Sequence, residues 1–179
     1  MMSEQLHQAK QPVSAVLAGP YGHPFHPIMV TVPIGAWVSS LVFDIASHLV
    51  EDPSVLTAGS VWLIAIGVIG AVLAAMLGLL DLFAIPTGTR AFRTGLIHMS
   101  LNLVVTAAYA VNFGWRHAGY GQSGAVAGGP LTLSVVSLCL LGVSGFLGGK
   151  LAYRYGVRVA EETVQAEGFT AAGTIAHES

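Results

Sequence analysis

Apolar residues run almost unbroken through four stretches, 28–50, 61–85, 94–115 and 131–151, and polar positions gather between them. Each stretch is long enough for a helix rising about 1.5 Å per residue to cross a hydrocarbon core of about 30 Å. The pattern predicts an all-α protein, an integral membrane four-helix bundle. Residues 1–20 read as a flexible tail and 21–156 as the four-span domain. The remainder, 157–179, reads as a second tail with room for a short surface helix.

The polar residues inside the spans fall on stripes. His98, Asn102, Thr106, Tyr109 and Asn112 step by four, four, three and three, which lines one helical face. Ala36, Ser40, Asp44 and His48 step by four along the first span, and Asp81 continues the small-residue row Gly70, Ala74, Gly78 along the second. Helices in lipid associate through small residues and polar contacts. Gly67, Ala71 and Ala75 in span two and Gly142, Gly145, Gly148 and Gly149 in span four supply such faces. They are expected to pack within the bundle, and the glycine faces also offer a route to a homo-oligomer.

Charge adds orientation. Charged residues make up 9% of the chain against 54% hydrophobic, whereas a soluble domain carries roughly 25% charge. Six of the Lys and Arg residues fall on the tail side of the spans and only Arg116 on the other, so both termini are expected in the cytoplasm. No polybasic run is present, which argues against nucleic acid as a partner. Cys139 is the single cysteine, so an intrachain disulfide, a cysteine-held iron–sulfur cluster and a c-type haem attachment are excluded. The first twenty residues lack the basic start and apolar core of a cleaved signal.

The candidate chemistry lies at the start of span one, Gly22-His23-Pro24-Phe25-His26-Pro27. A proline disfavours helical backbone in the residue before it, so His23 and His26 are both expected in extended or turn geometry, with Cα atoms about 9 Å apart if the piece is polyproline-like. Pro33 is expected to kink the helix. Asp81 and His98 each stand about 6 Å inside the same boundary, joined by a short loop that makes spans two and three neighbours. His23, His26, His98 and Asp81 are therefore the expected ligand set, with Asn102, Arg90, Arg93 and Arg154 around them. Such donors suit a transition metal (zinc, iron or copper) or, with two histidines as axial ligands and arginines near the propionates, haem b. The same histidines could instead cap a rigid turn, with Asp81 bonded to His98 or Arg93. Asp44 and His48 form a second polar pair at the outer end.

Four segments, GHPFHPIMVTVPIGAWVSSLVFD, GLLDLFAIP, LIHMSLNLVVTAAYAVNF and VSGFLGGKLAYRYGVRV, resemble in order the bacterial membrane family known as domain of unknown function 2231. The resemblance implies a multi-pass protein of the bacterial inner membrane with no assigned activity, some of whose relatives are joined to Rieske-type or cytochrome-type modules. It leans the expected function toward redox-associated metal or haem binding. The alternative is a structural or assembly partner of a membrane redox complex with no cofactor of its own. Transport draws less support, since the spans show no inverted repeat. Enzymatic activity is left open and leans against, because no nucleophile stands beside a base.

Overall fold

A computed structural model describes residues 2–13, 22–119 and 124–169. Among these the chain forms α1 (Met2–Lys10), α2 (Phe25–Met29), α3 (Thr31–Ser47), α4 (Ser54–Ala84), α5 (Arg90–His117), α6 (Gly128–Tyr153) and α7 (Glu162–Glu167), with no strand. Four helical units, α2 with α3, then α4, α5 and α6, are long and apolar enough to cross a membrane. The 31 residues of α4 extend about 46 Å, well beyond the hydrocarbon core.

The first span is split at Val30. Pro33 has no N–H to give Met29, and the helix is interrupted there, although Val30 keeps helical backbone, before resuming as α3. Thr31 Oγ1 donates to the Ile28 carbonyl at 2.7 Å, occupying an acceptor at the break. His26 departs from the expected extended backbone, because α2 begins at Phe25 and places it in the first helical turn. Pro27 is tolerated there because first-turn N–H groups have no intrahelical partner to lose. His23 precedes the helix, in non-helical backbone.

Helix ends are marked by local chemistry. Thr89 Oγ1 accepts the Phe92 N–H at 3.1 Å and caps α5. Asp52 accepts the Ser54 N–H at 3.0 Å ahead of α4, and its bonds with Ser54 hold its carboxyl below the usual range. Beyond α6, Gly156 takes a left-handed φ of 68° and Val157 N–H returns to the Leu151 carbonyl at 3.0 Å. That turn carries residues 157–159 back against α1, where Arg158 N–H donates to Ala9 at 3.0 Å. Both tails thus meet at one end of the bundle, called here the tail end.

Neighbours in sequence pack closely: α3 against α4, α4 against α5, α5 against α6. Contact between α3 and α6 is much sparser, so the ring of four helices closes incompletely on that side. The central core is Trp37, Ile64, Ala71, Val105 and Tyr109. Trp37 and Tyr109 stack 4.2 Å apart with planes 8° from parallel. Gly67 admits this arrangement, since a Cβ there would overlap the Trp37 indole. Gly70 does the same for Val32, whose Cγ1 would lie 2.7 Å from an added Cβ. Gly142 and Gly145 on α6 have nothing within 4 Å of an added Cβ.

Candidate functional site: two anchored imidazoles on one cavity

His26 leans from α2 onto α4, with Nδ1 2.9 Å from the Ala74 carbonyl oxygen. A carbonyl only accepts, so Nδ1 is the donor here, and in the neutral ring the lone pair falls on Nε2. The ring can lie there because residue 78 is glycine: a Cβ would stand 2.9 Å from His26 Cε1. The small row Gly70, Ala74, Gly78 therefore makes the bed of an imidazole.

His98 repeats the arrangement from the opposite wall. Its Nδ1 lies 2.8 Å from the Ser144 carbonyl on α6, which fixes the same tautomer. Ser144 Oγ, 3.0 Å from that nitrogen, donates to the His98 carbonyl at 3.2 Å. Gly148 supplies the bed, since a Cβ there would come 3.1 Å from His98 Cε1. Asn102 donates to the His98 carbonyl at 3.0 Å and holds its amide 3.2 Å from Nε2.

The two rings meet edge to face, with centroids 6.4 Å apart and planes at 87°. Both line a cavity of about 430 Å³, within the range of about 300–1,000 Å³ usual for cofactor and small-molecule sites. Its walls are mainly apolar or small, among them Pro33, Ala71, Met99, Leu141 and Gly145, and Trp37 reaches it from the core. Polar groups enter at few points: the two histidines, Asn102, Thr106, Asp81 and Arg158. Asp81 Oδ1 is paired with Arg158 Nε at 3.0 Å.

Four of the expected site residues, His26, Asp81, His98 and Asn102, line this cavity, and His23 does not. Arg90, Arg93 and Arg154 are exposed at the tail end and lie outside the lining. Lys150 sits over the Tyr155 ring, 5.6 Å from its centroid. The cation on the cavity is Arg158, which a reading of the spans overlooks because it lies beyond the last one. Among the described residues no three His, Cys, Asp or Glu side chains are grouped to hold a metal ion, so the four-donor transition-metal set is not assembled.

At the far end Asp44 pairs with Arg116, not with His48, which ends α3 exposed. Arg116 Nη1 and Nη2 donate to the two carboxylate oxygens at 2.6 and 2.7 Å. Ser60 donates to Asp44 at 2.6 Å, Arg116 Nε donates to Asn112 at 2.7 Å, and Asn112 donates to Ser134 at 2.9 Å. All four spans contribute, and each of these side chains is buried. The carboxylate and guanidinium are satisfied by one another and by neighbours, which marks a structural lock. Arg116 had a sequence signal: it extends the His98-to-Asn112 stripe by four more residues.

A family model described as a predicted membrane protein, DUF2231, matches residues 22–161, a range that holds all four spans and the whole cavity. No curated protein and no solved structure matches the chain.

Proposed function

The chain belongs to the DUF2231 family of predicted membrane proteins, and from that premise we propose that it binds one haem b between His26 and His98 and serves as a redox protein of the bacterial inner membrane. The observation that carries this reading is the pair of imidazoles on one cavity, each with Nδ1 tied to a backbone carbonyl, so that Nε2 is the atom that would coordinate. A ligating histidine characteristically donates its other ring N–H in this way, which fixes its orientation and raises its basicity. His26 and His98, with ring centroids 6.4 Å apart on one cavity, are the residues that would hold the group. A haem, whose iron brings nitrogens of its own, would ask only these two histidines of the protein, whereas a bare zinc or copper site asks three or four donors.

The surroundings suit a flat macrocycle. Gly78 and Gly148 seat the imidazoles, and Ala71, Gly145 and Gly149 keep the walls low. The stacked Trp37 and Tyr109 close the far side and keep water from that direction. Bound haem would supply reversible one-electron transfer. Carbonyl-anchored rings resist reorientation, and apolar walls tune the potential by limiting solvent. Asn102, poised over His98 Nε2, would have to yield that nitrogen to the iron.

Lys10, Arg90, Arg93, Lys150, Arg154 and Arg158 all belong to the tail end, while Arg116 is consumed by Asp44. That asymmetry supports a cytoplasmic tail end, and on that reading the cavity belongs to the cytoplasmic half of the bilayer. The test is the optical spectrum of full-length protein purified from haem-supplied cells. A Soret band with a low-spin, two-histidine signature is expected, and His26→Ala or His98→Ala should each abolish the two-histidine signature. A folded, colourless protein that does not take up added haem overturns the reading and leaves an assembly partner of a membrane redox complex in its place.

A further inference from the structure

We propose that Arg158 is the carboxylate-binding group of this cavity, so that the ligand is an acid-bearing macrocycle held with its carboxylates toward the tail end. The proposal rests on the haem reading above and specifies which porphyrins the site accepts and which way round. Among the residues lining the cavity, Arg158 is the sole Lys or Arg. Its side chain is only 7% exposed, although Arg is among the costliest side chains to bury in a membrane protein.

The backbone is bent to put it there. Arg158 has a φ of 57°, in the left-handed region, and is the one non-glycine residue so placed among those described. Such a conformation persists only where its surroundings over-determine it. Three contacts do so: the N–H on Ala9 at 3.0 Å, Nε beside Asp81 at 3.0 Å, and Nη1 on the Lys10 carbonyl at 3.4 Å. The Gly156 turn directs the chain back, and the N-terminal helix clamps it.

Chemistry then sets the orientation. A guanidinium has five N–H donors in a planar fork and receives carboxylates on either edge. Asp81 lies against Nε and the Lys10 carbonyl against Nη1, so an incoming carboxylate competes with both. The rest of the lining offers no second cation, and its apolar walls would leave a buried carboxylate uncompensated. The acidic edge of a macrocycle gripped by His26 and His98 is therefore stabilised only toward Arg158. Asp81 tempers the attraction, which keeps the cation neutralised when no acid is present.

The experiment titrates detergent-purified, haem-free full-length protein with iron protoporphyrin IX and, separately, with its dimethyl ester, following the Soret band. The diester is expected to bind about tenfold to a hundredfold more weakly, the size of one or two units of charge-assisted hydrogen bonding. Arg158→Ala should bring the diacid down to the diester's affinity and leave the diester unchanged. Asp81→Asn should tighten the diacid alone. Equal affinities of the two porphyrins for the unaltered protein overturn the Arg158 assignment while axial ligation stands. No Soret response to either porphyrin overturns the haem reading itself. If Arg158→Ala does not fold, the diacid–diester comparison on the unaltered chain decides.

Discussion

Arg116 meets Asp44 across 72 positions of sequence in a two-pronged ion pair of 2.6 and 2.7 Å, sealed inside the far end of the bundle. Nothing about it is poised for chemistry: each oxygen and each nitrogen of the pair has a partner within the network. The His26–His98 pair is the converse. Each ring has one nitrogen locked by a carbonyl, while its other nitrogen belongs to a cavity lined by Asp81 and Arg158. One end of the molecule is a fastener and the other a receptacle. The Trp37–Tyr109 stack lies in the core between them.

Breaking the fastener should cost stability without touching the receptacle. Arg116→Ala leaves a buried carboxylate without its counter-charge, a loss of roughly 3–5 kcal/mol for a buried pair. Thermal unfolding in detergent should show a large drop for the single variant. Asp44→Asn combined with Arg116→Gln should recover part of it, because the charge and its orphan leave together. Porphyrin titration of whatever remains folded should give the same affinity as the unaltered chain.

His23 and His26 look equivalent in sequence, each sitting before a proline. Only His26 reaches the cavity. His23→Ala should therefore leave the Soret band in place, whereas His26→Ala should convert a two-histidine spectrum to a one-histidine one. Identical spectral loss from both substitutions would contradict the placement of His23 outside the lining.

Glycines give a graded test. Gly67→Ala drives a methyl into the Trp37 indole and should destabilise by about 1–3 kcal/mol, as overpacked cores do. Gly78→Val should act on the site instead, by pushing His26 off its bed. Gly142→Ala meets open space and should change neither melting temperature nor spectrum.

Much of this is legible in the sequence. The lengths and apolarity of the spans dictate four helices, and the step of His98, Asn102, Thr106, Tyr109 and Asn112 dictates one inward face. Asp81 could be assigned inward because it prolongs the row of small residues that bears His26. Three things are easily misread. Arg116 follows Trp115 at the end of an apolar run and reads as a loop charge, although α5 continues through it. Arg158 depends on a glycine turn and on a carbonyl from α1, a contact between opposite termini that no local pattern encodes. The helical state of His26 hinges on where α2 begins, and proline restricts its predecessor less firmly within a first turn.

Pro33 offers the sharpest separation of stability from function. It lies in a membrane-spanning segment, deletes the bond to Met29, and lies just beyond the interruption at Val30 that separates α2 from α3. Proline inside a helix costs on the order of 3 kcal/mol, so Pro33→Ala should raise the thermal stability of the bundle or leave it unharmed by restoring the missing N–H. The restored bond should also fuse α2 and α3 into one continuous helix and shift the register of its first turn. That movement would carry His26 away from Ala74 and Gly78, since five residues of α2 are all that tie the ring to the bundle's first span. Porphyrin affinity should then fall while melting temperature does not. A mutation that merely loosened the protein would lower both, and one that left the break intact would lower neither. A fall in affinity alone identifies the proline break as the device that aims His26 at His98.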